Sequence, residues 1–593
     1  MKFLKLIGLT IFLVGFFIFN ASFFWASYKL TPQIVKEKIT DGRKQKLFLS
    51  GASSLLNREV GSNTEFINDL SALFAKINQQ QQNKFNISEG ELKDLVERSG
   101  ETFSISNVDS VFRTSNETSA FKNKAFKDQG NWLEGQKFET KEELNRQLKT
   151  ISDKIRAYTI VSELGFDRYA EKDLKYSFAK AAAISAVKNN PGLYLFLTFG
   201  LCILGALLYI LPKMRQAEGI KNNGIFFNAM KNVGWLGILT GTWLIIFYVV
   251  LYFYPEYMTN WVILVDPISK ILNGNEAGRF FLYGFIYTLC ILVMGTRMII
   301  HYRHSKYQIL RTISVMFFQT AFAFLIPEFL IRLNKPYFDF KNIWPLDYSF
   351  FFDFRLNQLL ENGTLGLFML GWGIALIVVA VPVFVYFFGK RWYCSWVCGC
   401  GGLAETLGDP YRQLSNKTLK AWKVERWMVH GVLVFAVVMT VAVLYTYWTK
   451  SSWFLFMDSY TVREIYGSFI GAGFAGVVGT GFYPLMGNRV WCRFGCPLAA
   501  YLGLVQRFKS RFRITTNGGQ CISCGNCSTY CEMGIDVRWY AQRGQNIIRS
   551  SCVGCGVCSS VCPRGVLNLE VKNEDGRFGK PILIGNNNIK LDV

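Results

Sequence analysis

Long apolar stretches alternate with short polar links through most of the chain after residue 190. A helix needs about 20 consecutive apolar residues to cross the hydrocarbon core of a bilayer. Stretches of that length lie near residues 5–27, 191–212, 234–255, 278–300, 310–332, 364–388, 427–448 and 465–487. The pattern predicts a mainly α-helical membrane protein with about eight transmembrane helices.

The first apolar stretch begins MKFLK, a start that secretory signal peptides also show. Ala21 and Ala26 stand among bulky aromatic residues, so no clear small-residue cleavage site follows. We therefore expect residues 1–29 to form a retained membrane anchor. Residues 30–189 are polar and free of cysteine, and patches such as EFINDLSALFAKI carry apolar residues at helical spacing. This pattern predicts a mostly helical domain outside the bilayer.

The net charge of +23 is informative mainly through its distribution along the chain, which predicts the membrane topology. The links after the second, fourth and sixth apolar stretches are basic and begin KMRQAEGIKNN, HYRHSKYQILR and GKRWYCSWVC, whereas the intervening links are aromatic and more acidic. Lys and Arg accumulate in cytoplasmic loops of membrane proteins. We therefore expect a multi-pass protein of a bacterial inner membrane, with cytoplasmic termini and a periplasmic domain over residues 30–189. The same distribution argues against a nucleic acid partner.

Cysteine usage is concentrated near the end of the chain. Eight of the 15 cysteines lie between Cys521 and Cys562, in the runs CISCGNCSTYC and CVGCGVCSSVCP. Each run is Cys-x2-Cys-x2-Cys-x3-Cys, in which three cysteines bind one [4Fe–4S] cluster and the fourth binds the other. The spacing predicts two [4Fe–4S] clusters, one held by Cys521, Cys524, Cys527 and Cys562, and the other by Cys552, Cys555, Cys558 and Cys531. Residues 506–593 are thus predicted to form a cytoplasmic, bacterial-type 2[4Fe–4S] ferredoxin-like domain and tail.

The first run departs from the usual pattern after its fourth cysteine. Glu532 stands where proline often follows, whereas the second run ends in Cys-Pro. Proline is not a ligand, so we expect this departure to alter the loop and the cluster potential rather than the ligand count.

A second group of cysteines lies within the predicted membrane bundle of residues 190–505. Arg391-Trp-Tyr-Cys394-x3-Cys398 aligns with Arg489-Val-Trp-Cys492-x3-Cys496, and each copy follows an apolar stretch that ends at the predicted cytoplasmic face. On a helix, residues four apart share a face, so each pair can present two thiols together. Two such pairs could form one four-thiolate site for an iron–sulfur centre or Cu(I), or a redox-active dithiol. Unliganded cysteines that fill small volumes are the remaining alternative.

The combination of CSWVCGCGGLAE, WCRFGCPLAAYLG and the twin ferredoxin runs resembles the NosR/NapH-type membrane polyferredoxins, which are related to the CcoG-type oxidase assembly proteins. The resemblance covers mainly residues 364–570 and implies an inner-membrane iron–sulfur protein that carries electrons in respiration or copper-centre assembly. Gly399 follows Cys398 where the family motif usually has proline. The sequence Ser50-Gly51-Ala52-Ser53 is too short a match to support the flavin domain of NosR members.

The leading hypothesis is membrane electron transfer between a cytoplasmic or quinone donor and a respiratory or periplasmic acceptor. It makes the chain the electron-transfer subunit of a quinol-dehydrogenase-like oxidoreductase system. The alternatives are a maturation factor that reduces or hands over copper, and a redox sensor. We expect redox proteins and membrane lipid as partners, with quinone as a further candidate. The basic stretch QRFKSRFRI, residues 506–514, is the expected lipid contact.

Overall fold

The computed structural model describes residues 2–99, 102–113, 116–221, 234–451, 453–455, 457–508 and 510–571. The predicted tail beyond residue 571 lies outside the described residues. The chain divides into two compact units. The first unit contains residues 1–18, 195–254 and 265–593, and the second contains residues 19–194 and 255–264.

Seven helices in the described part of the chain are long and apolar enough to cross a membrane. They are Lys2–Ser22, Pro191–Arg215, Trp235–Phe253, Arg279–His301, Lys306–Arg332, Gly363–Phe388 and Leu419–Thr449. Each matches one of the predicted apolar stretches, so the mainly α-helical membrane class is confirmed.

The eighth predicted stretch is helical but less apolar than the others. Helix Ser459–Ile465 continues through the wider turns of Tyr466–Val478 into Gly479–Gly481. Its glycines permit close packing, because a Cβ atom at Gly476 would lie 2.5 Å from the Tyr252 ring and one at Gly481 would lie 2.6 Å from Ile245. Small residues that let helix backbones approach are characteristic of packing inside membranes. They also lower the hydropathy by which such a helix is recognised.

Shorter elements connect the long helices of the first unit. These helices are Asp266–Leu272, Asp353–Glu361, Arg391–Cys394, Gly399–Thr406, Asp409–Leu414, Tyr483–Met486, Trp491–Gly495 and Pro497–Phe508, and a small hairpin pairs Trp453–Phe454 with Met457–Asp458. The motifs around Cys394 and Cys492 therefore lie in short helical segments next to the long helices.

Both ferredoxin-type cysteine runs lie between the two strands of one antiparallel sheet. Strands Phe512–Thr516 and Leu567–Val571 pair along their full length, with Phe512 opposite Val571 and Thr516 opposite Leu567. In the chain, the two strands are separated by the short helices Asn526–Thr529, Val537–Gln542 and Val557–Ser560. Pairing the two ends of this segment brings the two cysteine runs side by side.

The second unit is a mostly helical domain with a three-stranded antiparallel sheet of Ser27–Lys29, Glu59–Val60 and Ala183–Ile184. Its main helices are Pro32–Lys38, Gly42–Gly51, Asn63–Phe85, Glu89–Ser99, Ile105–Val111, Glu117–Gly130, Lys141–Lys154, Ile155–Leu164 and Arg168–Ala182. Side chains of Ser62, Thr140 and Asp167 accept hydrogen bonds from the first turns of three of them, as expected for helix N-caps.

Candidate iron–sulfur sites

The ferredoxin segment contains two cavities, and each is lined by four cysteines taken from both runs. The first cavity is lined by Cys521, Cys524, Cys527 and Cys562. The second cavity is lined by Cys552, Cys555, Cys558 and Cys531. Thiolates converging from one short loop and one distant residue suit a [4Fe–4S] cluster, so the donor set and its grouping fit that cofactor.

The two cysteine runs share one backbone conformation. Gly525 and Gly556 both have positive φ angles and immediately precede the short helices that carry Cys527 and Cys558. Ser523 and Gly554, each just before the second cysteine of its run, also have positive φ, at 59° and 62°. These turns fold each run into a loop whose cysteines point into one cavity.

Side chains of the membrane bundle hold the loop of the second cavity. Its four successive carbonyl oxygens accept hydrogen bonds from four such groups: Gln506 Nε2 to Cys552 O at 3.4 Å, Ser395 Oγ to Val553 O at 2.8 Å, Tyr307 Oη to Gly554 O at 3.0 Å, and Gln308 Nε2 to Cys555 O at 2.9 Å. A Cβ atom at Gly554 would lie 2.6 Å from Arg391, which shows how closely this loop packs. The second cavity is therefore fixed against the bundle.

The first cavity faces solvent instead. Cys524 is the one exposed cysteine among the fifteen, all of which the structure describes. Ile522 beside it is 54% exposed. A Cβ atom at Gly525 would meet only the Arg538 guanidinium, at 3.9 Å. The two cavities thus have opposite surroundings, although their local sequences are alike.

The four membrane-edge cysteines come together in one buried core. Cys394, Cys398, Cys492 and Cys496 all belong to the apolar cluster that also contains Cys527, Cys552 and Cys558. Burial raises the pKa of Cys496 well above its ordinary value, and the neighbouring thiols of Cys492, Cys398 and Cys394 raise it further. The duplicated motifs therefore bring their four thiols together in one buried cluster.

The prediction that each pair lies on one helical face is wrong. Cys394 ends the helix Arg391–Cys394, and Cys398 precedes a new helix that starts at Gly399. Cys496 likewise precedes the helix Pro497–Phe508, and its N–H donates to Trp491 O, five residues back. Breaks in the helices, rather than a shared helical face, bring the two thiols of each motif to the site.

Cys400 is a close neighbour of this site. A hydrogen bond with the Cys400 thiol lowers the pKa of Cys398 to about 6, against the opposing effect of burial. The thiolate is the form of cysteine that binds metals. Cys400 thereby favours the ligating form of Cys398.

A buried network of charges lies between the membrane-edge site and the second cavity. Arg489 donates to Cys394 O at 3.4 Å and to Cys492 Sγ at 3.6 Å, and it pairs with Glu532 at 3.0 Å. Arg412 pairs with the other Glu532 oxygen at 2.6 Å. Glu405, which is also buried, pairs with both Arg311 and Arg489.

Burial alone would raise the pKa of Glu532, but Arg489 and Arg412 outweigh it and lower that pKa to about 2. Glu532 is therefore ionised, and it lies next to Cys531 of the second cavity.

Oxygens of Glu405 and Glu532 and the sulfur of Cys555 lie within 4.8 Å of one another, a spacing that could suit a cation. Three buried arginines already neutralise the two carboxylates, so a cation there would have to displace an arginine from a site shielded from water. This group is better understood as an ion-pair network.

Comparison with known proteins agrees with the cysteine geometry. A family model described as a 4Fe-4S binding domain matches residues 370–418 and 469–515, which contain both membrane-edge motifs. A second model, described as a 4Fe-4S dicluster domain, matches residues 513–563. The chain therefore carries two kinds of 4Fe–4S binding domain. The two [4Fe–4S] clusters predicted from the cysteine spacing are thereby confirmed as cofactors.

Two curated relatives support the same assignment. YccM of Escherichia coli, named as an electron transport protein, is 25% identical over 170 residues, which are 28% of this chain and 47% of YccM. MauN of Methylobacillus flagellatus, a methylamine utilization ferredoxin-type protein, is 27% identical over 157 residues, which are 26% of this chain and 52% of MauN. The chain thus spans about half the length of the curated relatives it matches. No solved structure matches it significantly.

Reasoning from sequence missed most of the buried network. Glu405, Arg311 and Arg412 carry no motif, and only the unusual position of Glu532 after Cys531 gave a signal. The aligned residues Arg391 and Arg489 also differ, since Arg391 stacks on the Phe512 ring at 4.5 Å whereas Arg489 is buried among carboxylates. In the predicted lipid-contact stretch, Arg513 is buried and pairs across the sheet with Glu570.

Proposed function

We propose that this protein is a membrane polyferredoxin, an inner-membrane electron carrier that exchanges electrons with a soluble cytoplasmic protein. It would connect that protein to a quinone or to a respiratory acceptor. The observation that carries the proposal is the arrangement of three cysteine sites within one unit: an exposed cavity, a cavity held against the bundle, and a four-cysteine site at the membrane edge. Each iron–sulfur group, when bound, supplies a one-electron couple whose potential responds to hydrogen bonding and solvent exposure.

The proposed ligands of each cluster are the four cysteines that line one cavity. We assign Cys521, Cys524, Cys527 and Cys562 to one cluster and Cys552, Cys555, Cys558 and Cys531 to the other, because each set lines one cavity. Ser395, Tyr307, Gln308 and Gln506 hold the second loop rigid, and burial excludes water from it. Residues 30–189 are proposed to be periplasmic on the charge asymmetry of the loops.

The membrane-edge cysteines are proposed to bind a third iron–sulfur centre rather than a single copper ion. A tetrahedral ion with metal–sulfur bonds of about 2.3 Å holds its sulfurs about 3.8 Å apart. Among the described residues, Glu405, Glu532 and Cys555 are the one group whose ligand atoms all lie within 4.8 Å, so the four thiols are spaced more widely than one ion requires. The matched 4Fe-4S binding domain also contains both motifs.

Iron and acid-labile sulfide in the anaerobically purified protein test this proposal. We expect about twelve irons per chain, and about eight in the variant C394S/C496S, since each [4Fe–4S] group carries four irons. The variant C202S is the matched control, because Cys202 lies away from the three sites in the helix Pro191–Arg215. A wild-type protein with about eight irons would overturn the third centre. Tight Cu(I) binding that is lost in C394S/C496S would favour copper handling instead.

A further inference from the structure

The rim of the first cavity presents apolar, thiol and basic side chains to solvent. Cys524, Ile522, Arg538 and Arg564 all line this cavity, and all four are exposed. Apolar groups surrounded by polar ones form the usual centre and border of a protein–protein contact, and arginine is enriched at such contacts. The rim therefore has the composition of a small docking surface.

The exposed charge of this segment is of one sign. Among the described residues 510–571, the exposed charged side chains are Arg538, Arg543 and Arg564. The acidic residues there are not exposed: Glu532 is buried, and Asp536 and Glu570 are half-buried, with Asp536 accepting a hydrogen bond from Ser528 Oγ at 2.6 Å. An approaching protein therefore meets a positive face.

We propose that the rim formed by Ile522, Cys524, Arg538 and Arg564 is the docking surface for an acidic, soluble electron-transfer protein. The inference rests on the proposed function and adds the place and the charge of the partner. The membrane bundle holds the second cavity through hydrogen bonds to the carbonyls of Cys552 through Cys555, so the first cavity is the one free to meet a soluble protein. Charge complementarity raises association rates and orients the partner with its redox centre toward Cys524.

Stopped-flow reduction by an acidic [2Fe–2S] ferredoxin tests the surface. In each encounter one electron leaves the reduced ferredoxin and is taken up by the full-length protein. The bleaching of the full-length protein's iron–sulfur absorbance measures this transfer. We expect the second-order rate constant at low ionic strength to fall at least about tenfold in R538E/R564E, since steering by charge contributes 10- to 1,000-fold. The dependence of the rate on salt should flatten in the same variant.

The variant K420E/K423E is the matched control. It makes the same change in total charge at two exposed lysines of helix Leu419–Thr449, outside the ferredoxin segment. Its rate should stay within about twofold of the wild type. Dithionite, a small reductant that needs no docking surface, should reduce all three proteins equally, and equal iron contents would show that the cavities are intact.

Three results would overturn the proposal. A wild-type rate in R538E/R564E, or an equal loss in K420E/K423E, would show that the rim does not recognise the donor. The rim arginines would be assigned to lipid headgroups by a different result. In that case the rate of the wild-type protein would drop in phosphatidylglycerol nanodiscs but not in phosphatidylcholine nanodiscs, and the variants would have no effect on the rate. Failure of dithionite to bleach the wild-type protein would instead refute the proposed function itself.

Discussion

Replacing Glu532 with glutamine tests whether the buried charge network supports the second cavity. Glu532 pairs with Arg412 at 2.6 Å and with Arg489 at 3.0 Å, and it accepts a hydrogen bond from Asn488 Nδ2 at 3.1 Å. The carboxylate and both guanidinium groups are fully buried. Removing one partner of a buried ion pair costs about 3–5 kcal/mol, because the opposite charge is left without compensation. We expect a loss of this size in the free energy of unfolding of E532Q.

Unfolding of the detergent-solubilised protein in mixed micelles of increasing SDS content measures this loss. The control is E464Q, which removes a carboxylate from an exposed helical position and should change the free energy of unfolding by less than about 0.5 kcal/mol. A loss below about 1 kcal/mol in E532Q would refute the view that the network is held together by this carboxylate.

E532Q also has a spectroscopic readout. It removes one negative charge next to Cys531, so we expect the reduction potential of the cluster held by Cys531, Cys552, Cys555 and Cys558 to rise. An EPR-monitored redox titration should show this upward shift for one cluster only. An equal shift of both clusters, or no shift, would contradict the placement of Glu532 beside the second cavity.

Three further predictions concern the surroundings of the sites. Burial would raise the pKa of Asp409, but Arg412 and Arg297 lower it below its ordinary value. The ionised Asp409 therefore stabilises the fold above about pH 3.9, and this stabilisation is lost as the pH falls through the lowered pKa. Because Asp409 is ionised throughout the range, D409N should lower the unfolding midpoint equally from pH 5 to 8. G554A should lose iron and G525A should lose much less. Both glycines have positive φ, but a Cβ at Gly554 would lie 2.6 Å from Arg391, whereas a Cβ at Gly525 would lie 3.9 Å from its nearest neighbour, and iron content per chain measures the difference. Q308A should cost about 1–3 kcal/mol in the SDS titration by leaving Cys555 O without its donor, whereas the exposed-site variant Q545A should be neutral.

The membrane helices were predictable because apolar length is a local property of the sequence. Seven stretches became long apolar helices, and the eighth, also predicted from its apolar length, is a helix whose glycines reduce its hydropathy. The helix breaks at Cys398 and Cys496 could not be read from Cys-x3-Cys spacing, because that spacing is compatible with a continuous helix. The broken turns depend on backbone bonds such as Cys496 N to Trp491 O.

The sequence by itself determined the cofactor class, since the order and spacing of the cysteines in residues 521–562 constrain which thiols can reach one cluster. Only the tertiary structure decided that one cavity is exposed and the other is held by Ser395, Tyr307, Gln308 and Gln506. It also decided that Arg489, Glu405 and Glu532 form a buried bridge between two sites. The physical reason is that these contacts join residues far apart in the chain, and a charged residue in a sequence does not reveal whether folding will bury it or with which opposite charge.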